Sequence, residues 1–571
     1  MNNSTYDLVI LDSFIHTSLI REGDSMTRMT LQETESKNVT HADQVFSVLC
    51  RRLKRNINCL NIDITDEHSE FNMLSALQYI LKNCKCNVIS ISAGIDCCDV
   101  NYRKQLYEIC TALTKQGTTI VAGFSNMGRI SYPAAFDCVV GVDMSLMCKR
   151  INDFETVYGS IVNIRGTCLE QTVIIAGQKF LCGGTSFIVP LIVAEIINNQ
   201  LYNDINSIMS YFSRISVRTI EKGQTQFFPS YDFAINKAIV FPFNKEMRNL
   251  ARNRELLDFE IVDFYEHKTR LTSFLVEIKN YETINWCDEF DTVILGHLQE
   301  LSQAIKKDLL GYFIENIIAY KKNVVFCDNI SDNICERLRQ NHIKYYCASE
   351  NKVADYSNRF GKLHNLSVPV VCILGTRPRQ GKFTLQMELY KEFKHRGYEV
   401  GLLGSEPISK LLGADETVIC GYGSTLLNNY DLVFDVNSKL FNIEELGKDV
   451  VLVSSQSQTI PAGYGNIGMY PLYQESILLG CLPDAVILCV TYNDDINYIR
   501  RTINYIESLV DTKVIAIRVF NFRHQGENIE YIPSEKLLKY KEELREQFKI
   551  DVWFCDENVN GIADAIISYL E

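Results

Sequence analysis

The chain has 571 residues, of which 46% are hydrophobic, and its formal net charge is −13 at pH 7. This length predicts about two to four domains with ordinary globular cores. The acidic balance, with a pI near 5.4, argues against a nucleic-acid-binding surface. The most apolar stretch, residues 187–197, is too short to cross a bilayer and contains a proline and a glutamate, so we expect no membrane insertion.

The N-terminus and the cysteines indicate the compartment. No signal peptide is expected, because residues 1–7 lead directly into a strand-like run. The 20 cysteines follow no disulfide framework, which is typical of a reducing cytoplasm. Four of them bracket a predicted strand near Ile89 and raise the alternative of a metal site. They lack paired Cys-x-x-Cys spacing, so buried thiols are the preferred interpretation and no metal is assigned. The four are Cys84, Cys86, Cys97 and Cys98.

Four polar residues appear in a set order along the first 190 positions. Asp12 closes an apolar run, His41 opens a helical pattern, Asn126 follows the predicted strand 118–121, and Ser186 precedes an apolar helix. Each residue alone has an ordinary explanation as a cap, a helix start or a turn former. Together they supply the acid, base, amide donor and hydroxyl nucleophile that acyl transfer requires, in the chain order Asp, His, Ser.

The expected chemistry follows from these residue types. His41 would take the proton of the Ser186 hydroxyl and return it to the leaving amine, while Asp12 would fix the imidazole tautomer. The N–H of Ser186 at a helix start and the side-chain amide of Asn126 would stabilise the oxyanion. Such a donor contributes about 3 kcal/mol to transition-state binding.

These residues, with the segments around them, resemble the subtilase family of serine peptidases. Residues 87–94 are similar to its substrate-binding strand, 131–142 to the stretch after its oxyanion Asn, 184–190 to its nucleophile motif, and 231–238 to its closing segment. The resemblance implies a subtilisin-like α/β domain over 1–238 with a parallel sheet and no peptidase cofactor. It implies catalytic Asp12, His41 and Ser186, with Asn126 at the oxyanion, and a substrate-binding set of Ser90, Ser92, Gly94 and Phe124.

Three positions depart from the family pattern. Phe14 stands where the family has Gly after its Asp-Ser, and Ala42-Asp43 follow His41 where it has Gly-Thr. The family's glycines let side chains and substrate crowd the triad, so their loss could reshape the cleft. An inactive peptidase that serves as a peptide-binding scaffold therefore remains an alternative.

Residues 239–365 predict a small Rossmann-like α/β domain. Strand-like runs at 238–243, 259–262, 291–296 and 323–327 alternate with helical patterns at 245–257 and 298–320. Strands separated by helices are typical of a parallel sheet. No catalytic set is visible in this range, which indicates a structural or ligand-sensing part.

Residues 366–571 predict a P-loop NTPase-like α/β domain. A buried strand at 369–374 runs into a glycine loop, a lysine and a helix, an order in which backbone N–H groups hold phosphate oxygens. Five residues separate the glycines where four are usual, and Phe383 stands where Ser or Thr is expected, so a plain strand–helix turn is the alternative. The candidate nucleotide-binding residues are Gly375, Thr376, Arg377, Arg379, Gly381, Lys382 and Thr384.

Two later runs, 430–435 and 449–454, are interpreted as strands that end in polar groups at the ligand edge of the sheet. Asp435 is the candidate Mg²⁺ ligand through water. Residues 238–571 resemble P-loop proteins of the dethiobiotin-synthetase type and, more closely, maturation-system proteins of bacterial ribosomal-peptide clusters. The resemblance implies ATP or another nucleotide with Mg²⁺, although Ser454 or Ser455 replaces the family's acidic residue and argues against hydrolysis.

The sequence favours a cytoplasmic serine endopeptidase that removes the leader of a ribosomally synthesised precursor peptide. Its P-loop half would bind nucleotide or dock the substrate. One alternative is a nucleotide-binding protein with an inert peptidase domain, and another is a defence or regulatory protease that nucleotide switches on. The expected partners are the precursor peptide and either a second copy of the chain or peptide-modifying enzymes.

Overall fold

The computed structural model describes residues 4–29, 38–64, 69–202, 204–223, 233–268, 276–348, 356–420, 429–466, 469–492, 494–525 and 528–571. The chain forms two compact units. The first comprises residues 1–226 and 355–367, and the second comprises 227–354 and 368–571. The three-domain division at 238 and 365 stays a prediction. Tyr231 and Asp232 of the predicted closing segment lie outside the described residues.

The first unit is built from strands and helices that alternate along most of its length. Its described strands are β1 (Ser4–Asp12), β2 (Ser25–Met29), β3 (Asn58–Asp63), β4 (Cys84–Ile91), β5 (Thr119–Gly123), β6 (Val140–Ser145), β7 (Phe154–Tyr158), β8 (Ile164–Thr167), β9 (Gln171–Ile175), β10 (Gln178–Cys182) and β11 (Arg218–Glu221). Its described helices are α1 (His41–Cys50), α2 (Ser69–Asn83), α3 (Val100–Lys115), α4 (Val189–Asn198) and α5 (Ile205–Ile215).

Nine of these strands form one sheet in the order β11-β7-β8-β6-β5-β4-β1-β3-β2. All neighbouring pairs are parallel except β7 and β8, which are antiparallel. Strand β1 lies between β3 and β4, and Asp12 at its end pairs in register with Asp63. Strands β9 and β10 form a separate hairpin. The mixed α/β architecture with a largely parallel sheet is confirmed.

Two hydrophobic clusters cover the two faces of this sheet. One contains the buried residues of α1, α4 and α5, and the other contains those of α2 and α3. Helix α4 is buried along nearly its whole length, as its sequence Val-Pro-Leu-Ile-Val-Ala-Glu-Ile-Ile-Asn predicts. Pro190 near its start fits a position where the missing N–H has no intrahelical partner. A buried helix therefore fixes the turn that carries Ser186.

The second unit also alternates strands and helices. Its described strands are β12 (Lys237–Phe241), β13 (Glu260–Glu266), β14 (Ile278–Asn280), β15 (Thr292–Leu295), β16 (Asn323–Phe326), β17 (Tyr345–Cys347), β18 (Val370–Gly375), β19 (Val400–Gly404), β20 (Glu416–Thr417), β21 (Val450–Ser454), β22 (Ala485–Thr491), β23 (Lys513–Phe520), β24 (Phe522–Gln525), β25 (Asn528–Tyr531) and β26 (Asp551–Phe554). Its described helices are α6 (Lys245–Arg252), α7 (Gln299–Ile305), α8 (Leu309–Ala319), α9 (Asp332–Gln340), α10 (Lys382–His395), α11 (Asn429–Glu444), α12 (Leu472–Cys481), α13 (Ile496–Leu509), α14 (Ser534–Phe548) and α15 (Asn560–Leu570).

Two parallel sheets organise the second unit. A six-stranded sheet has the order β14-β13-β12-β15-β16-β17, and a seven-stranded sheet has the order β20-β19-β21-β18-β22-β23-β26. The first order reverses between β12 and β15, as in Rossmann-like sheets, so the predicted Rossmann-like layer is present. The predicted strand at 430–435 is wrong, because these residues lie in helix α11. Its buried positions, such as Leu432, Val436 and Leu440, follow a helical spacing.

Two further observations concern membrane spans and the cysteines. Within the described ranges, no helix is both long and apolar enough to span a membrane. All 20 cysteines are free thiols, and most of them are buried.

The stability of the six-stranded sheet depends on an aromatic cluster under β12. The Phe313 ring is fully buried and lies 4.8 Å from the Phe241 ring and 5.9 Å from that of Trp286. Phe313→Ala is therefore expected to lower the free energy of unfolding by about 3–5 kcal/mol, through lost transfer energy and a cavity. Urea denaturation followed by tryptophan fluorescence measures this. Tyr430→Ala is the control, because Tyr430 is 82% exposed, and an equal loss in both variants would contradict the expectation.

Candidate active site

Asp12 and His41 meet where β1 ends and α1 begins. The His41 Nδ1 lies 2.9 and 3.0 Å from the two carboxylate oxygens of Asp12. The Asp12 side chain is almost fully buried, whereas that of His41 is 44% exposed. The hydrogen bond to Asp12, assisted by the charge of the carboxylate and opposed by burial, raises the pKa of His41 above its ordinary value. The imidazole is thus held by a buried carboxylate and remains accessible on its other side.

Asp43, one of the residues that departs from the subtilase pattern, fixes the start of α1. It forms a reciprocal capping box with Thr40: the Thr40 hydroxyl accepts from the Asp43 N–H, and the Asp43 carboxylate accepts from the Thr40 N–H. The same carboxylate accepts from the backbone N–H of His16 at 2.8 Å and contacts the His16 ring at 2.6 Å. Asp43 therefore joins the helix that begins with His41 to the loop after β1.

Phe14 and Ala42, the other two residues that depart from the subtilase pattern, also lie where the loop after β1 contacts the start of α1. The Ala42 N–H donates to the Ser13 hydroxyl at 2.9 Å, and the Thr40 hydroxyl donates to the Phe14 carbonyl at 2.6 Å. The Phe14 ring packs edge-on against His16. The substituted residues thus form one hydrogen-bonded loop–helix contact.

Ser186 lies in a short 3₁₀ turn, Thr185–Phe187, that leads into α4. Its hydroxyl donates to the carbonyl oxygen of Ser92 at 3.1 Å, and the described structure shows no hydrogen bond from it to His41. The neighbouring Phe187 ring contacts the His41 ring with centroids 5.5 Å apart. The base candidate His41 therefore lies beside the turn that contains the nucleophile candidate, and the serine hydroxyl is directed towards the residue that follows β4.

Asn126 is oriented by the turn that carries Ser186. Its side-chain oxygen accepts from the backbone N–H of Thr185 at 3.0 Å and from the Thr185 hydroxyl at 3.1 Å. This orientation leaves the Nδ2 group to donate elsewhere, and Asn126 is exposed. Gly184 is required beside it, because a Cβ there would lie 2.9 Å from the amide of Asn126 and the backbone φ is +104°. The Asn126 side chain is thus fixed by Thr185 through its oxygen, and its role as an oxyanion donor stays a prediction.

The four predicted substrate-binding residues divide into two groups. Gly94 is exposed, and Ser92 is partly exposed and presents its carbonyl to Ser186. Ser90 is 3% exposed within β4, and Phe124 is 1% exposed. The side chains of Ser90 and Phe124 are therefore buried inside the unit, because both faces of the sheet are covered at Ser90 and the Phe124 ring packs against Gly141. Their role in substrate binding stays a prediction.

The predicted P-loop connects β18 to α10 in the second unit. Arg379 and Gly381 both have left-handed backbone conformations, with φ of 63° and 78°. Lys382 begins α10, and its ammonium donates to the carbonyl oxygens of Arg377 at 3.0 Å and Ser457 at 2.7 Å. A Cβ at Gly375 would lie 2.7 Å from the Gln380 side-chain oxygen, so the Gln380 side chain packs closely against the backbone there. This arrangement places a buried cation at the loop and suits a phosphate group.

Asp494, which follows β22, contacts this loop and was missed by sequence reasoning. It is buried and accepts from the Thr376 hydroxyl and from Nε of Arg377, each at 2.6 Å. Gln380 adds a second crosslink, since its amide donates to the hydroxyls of Thr376 and Thr491. The apolar run at 485–490 just before Asp494 is the one sequence signal that could have indicated this role.

The residues predicted to bind Mg²⁺ agree less well with the structure than those predicted to bind phosphate. Asp435 lies in α11 and forms an ion pair with Lys439 at 2.7 Å, so the strand-end position that suggested it as a Mg²⁺ ligand does not exist. The residues that end β21 and follow it, Ser454 and Ser455, are hydroxyl-bearing. Thr384 lies one helix position beyond Phe383 and is partly buried. Among the described residues no group of three or more His, Cys, Asp or Glu side chains could hold a metal ion.

One comparison with known families matches a P-loop domain. Residues 357–553 match a family model described as "Domain of unknown function (DUF1611_C) P-loop domain". No curated protein matches the chain. The P-loop interpretation of the loop after β18 is thereby supported by both sequence and geometry.

Three solved structures are similar to parts of the chain. A DUF1611 family protein from Anabaena variabilis is 12% identical with a TM-score of 0.45, covering 59% of this chain and 100% of that one. The prenylagaramide maturation protease PagA is 18% identical with a TM-score of 0.26, covering 34% of this chain and 72% of that one. The epidermin leader peptide processing serine protease EpiP from Staphylococcus aureus is 13% identical with a TM-score of 0.29. The match covers 37% of this chain and 69% of that one.

The Asp12–His41 hydrogen bond predicts a pH dependence. If His41 is a general base it must be neutral, so the rate of serine labelling by a fluorophosphonate should rise with pH through a pKa above 6.5. Asp12→Asn should move this acid limb to lower pH, since it removes the carboxylate that raises the pKa, and should reduce the plateau rate by about 10⁴-fold. The same pKa shift stabilises the folded chain below pH 6.5 and loses this effect as pH rises through the folded pKa. An acid limb that does not move in Asp12→Asn would contradict the assignment.

Proposed function

We propose that the first unit is a serine endopeptidase of the subtilisin type, and that it cleaves the leader from a ribosomally synthesised precursor peptide. The observation that carries the peptidase assignment is the buried Asp12 carboxylate bound to an accessible His41 at the carboxyl end of β1. Ser186 supports it by supplying a hydroxyl, and Asn126, whose side chain is hydrogen-bonded to the neighbouring Thr185, supports it by supplying an amide donor. The precursor peptide as substrate is supported by the family resemblance of the sequence.

In the proposed reaction the Ser186 hydroxyl first leaves the Ser92 carbonyl and turns towards His41. His41 accepts its proton as the oxygen attacks the peptide carbonyl, and the imidazolium is stabilised by Asp12. The Nδ2 group of Asn126 and the backbone N–H of Ser186 donate to the developing oxyanion. His41 then returns the proton to the leaving amine, and water hydrolyses the acyl-enzyme by the same groups.

The second unit is proposed to bind a nucleotide at residues 375–384 and thereby to dock or gate the peptide. Lys382 would contact phosphate oxygens, joined by the backbone N–H groups of the loop and by the side chains of Arg377 and Arg379. Mg²⁺ with the nucleotide would supply charge neutralisation of the phosphates. The hydroxyl-bearing residues after β21 favour binding over hydrolysis in this proposal.

A second candidate function is nucleotide-dependent binding of a peptide without cleavage. The hydrogen bond from Ser186 to Ser92, in place of one to His41, favours it. The Asp43–His16 contact beside the triad, which the family pattern lacks, favours it as well. In this candidate the cleft holds a peptide for another enzyme, and the P-loop provides the activity.

Ser186→Ala separates the two candidates. Wild type is expected to react with a fluorophosphonate probe at Ser186 and to cleave a precursor peptide encoded beside its gene, whereas the variant should do neither. Mass spectrometry identifies the labelled peptide and the cleaved product. Ser210→Ala is the matched control, because Ser210 is an exposed serine on α5. Labelling of Ser186→Ala equal to that of wild type would refute the peptidase assignment, and an unlabelled wild type would favour the scaffold.

Lys382→Ala tests the nucleotide site. Removing the ammonium should weaken ATP binding by about 10-fold or more, because a charge-assisted contact to phosphate contributes about 1.5–3 kcal/mol. Isothermal titration calorimetry with ATP and with pyrophosphate measures the change. Lys391→Ala, on the same helix and paired at the surface with Glu255, is the control. Unchanged affinity in Lys382→Ala would place phosphate binding elsewhere, and an effect of ATP on the cleavage rate would indicate gating.

A further inference from the structure

One chain segment returns to the peptidase-like unit from a distant part of the sequence. Residues 355–367 follow the six-stranded sheet in the chain and belong to the first unit. Within this return segment, the Leu363 carbonyl accepts from the Ile130 N–H at 2.9 Å, and the Asn358 carbonyl accepts from the Ser160 hydroxyl. The segment thus contacts two loops of the first unit, one of which follows Asn126 closely.

The centre of the return segment carries a buried ion pair. The Lys362 ammonium lies 3.1 Å from the Asp143 carboxylate, and the two side chains are only 5% and 9% exposed. Asp143 belongs to β6. Placing both charges out of water costs several kcal/mol before their attraction is counted, so a hydrophobic pair would stabilise the fold at least as well. The ion pair is therefore better explained by what it positions than by stability.

Lys362 contacts Phe124, which follows β5 and lies two residues before Asn126. Its ammonium lies 5.1 Å from the centre of the Phe124 ring, within cation–π range. The Phe124 N–H donates to the Val142 carbonyl, next to Asp143, and the Phe124 carbonyl accepts from the Thr185 hydroxyl at 2.7 Å. Thr185 in turn orients the Asn126 amide. A short chain of contacts therefore joins Lys362 to the oxyanion donor.

The return segment makes a second contact with the first unit through Phe360, two residues before Lys362. The Phe360 ring lies under the Arg165 guanidinium, 4.4 Å from its centre, and under the Lys222 ammonium at 5.2 Å. Beyond Lys362, burial together with the charges of Arg359 and Arg103 lowers the pKa of His364 well below its ordinary value. His364 is thus neutral at physiological pH, and its side chain is partly buried. The segment is held on both sides of the ion pair.

We propose that Lys362 is a positioning residue for the oxyanion donor of the peptidase site. It acts through Asp143 and Phe124, which fix the backbone between β5 and Asn126, and it does not touch substrate. The peptidase site is therefore incomplete without residues 358–364, although the sequence places them more than one hundred residues beyond the rest of the unit. The proposal rests on the proposed serine peptidase function.

A double-mutant cycle in the full-length protein tests this role. Lys362→Met removes the charge and keeps the length of the side chain, and Asn126→Ala removes the amide donor. For a fluorogenic peptide that wild type cleaves, Lys362→Met should lower kcat by about 10-fold with KM unchanged within twofold, which is less than the 10²–10³-fold expected for losing the donor itself. In the Asn126→Ala background the same substitution should have no further effect on kcat, because its effect passes through Asn126.

The control is Lys391→Met, which removes a lysine from a surface ion pair with Glu255 and should leave both constants unchanged. Equal losses from Lys362→Met in both backgrounds, or a lowered melting temperature with unchanged kcat, would overturn the positioning role and leave a structural one. If Lys362→Met does not fold, Lys362→Arg replaces it in the same cycle under the same criteria. If wild type is labelled at Ser186 but the effects of the two substitutions are additive, this inference alone is refuted. If wild type is not labelled, both this inference and the proposed peptidase function are refuted.

Discussion

The hydrogen bond between Asp12 and His41 is the constraint on which the candidate peptidase site depends. It requires the end of a central strand and the first residue of a helix to meet within 3 Å. The chain secures this meeting with the carboxylate of Asp43, which caps α1 and accepts from the loop after β1. A glycine-rich version of this junction would rely on close backbone approach, whereas this one relies on a buried acidic side chain. The departures at Phe14, Ala42 and Asp43 therefore form a coherent alternative packing of the same contact.

Both candidate sites use the carboxyl ends of parallel strands, but they reach their polar groups differently. In the first unit Asp12 is the last residue of β1, and the other groups come from a helix start and two turns. In the second unit the loop after β18 is closed by Asp494, which follows β22 and bonds Thr376 and Arg377. Strands β18 and β22 are neighbours in the sheet, so residues more than one hundred positions apart become adjacent. The order of strands in the sheet therefore brings Asp494 within hydrogen-bond distance of the loop after β18.

The sequence predicted those features that local pattern determines. The α/β class, the parallel sheets and the strand–loop–helix at 370–395 follow from periodicity and from glycine positions, and the structure agrees. The strand predicted at 430–435 failed because the short apolar run Leu-Val-Phe is equally compatible with a buried helix face, and only the following turns show the helical spacing. Asp494 and Lys362 were missed for another reason. Each acts on a partner that only the tertiary fold brings near, and neither belongs to a recognisable motif.

The key side chain of each site is held by backbone carbonyls: Ser186 by that of Ser92, and Lys382 by those of Arg377 and Ser457. Reaction or binding must therefore exchange these hydrogen bonds for new ones. For Lys382 the exchange is favourable, because an ammonium gains more from a phosphate oxygen than from a neutral carbonyl. For Ser186 it replaces one neutral hydrogen bond by another, each contributing about 1 kcal/mol, so the cost of turning the hydroxyl to His41 is small. The serine rotamer alone is thus weak support for an inert site. The more demanding requirement is the position of Asn126, because its amide must still face the oxyanion once the Ser186 hydroxyl has rotated towards His41.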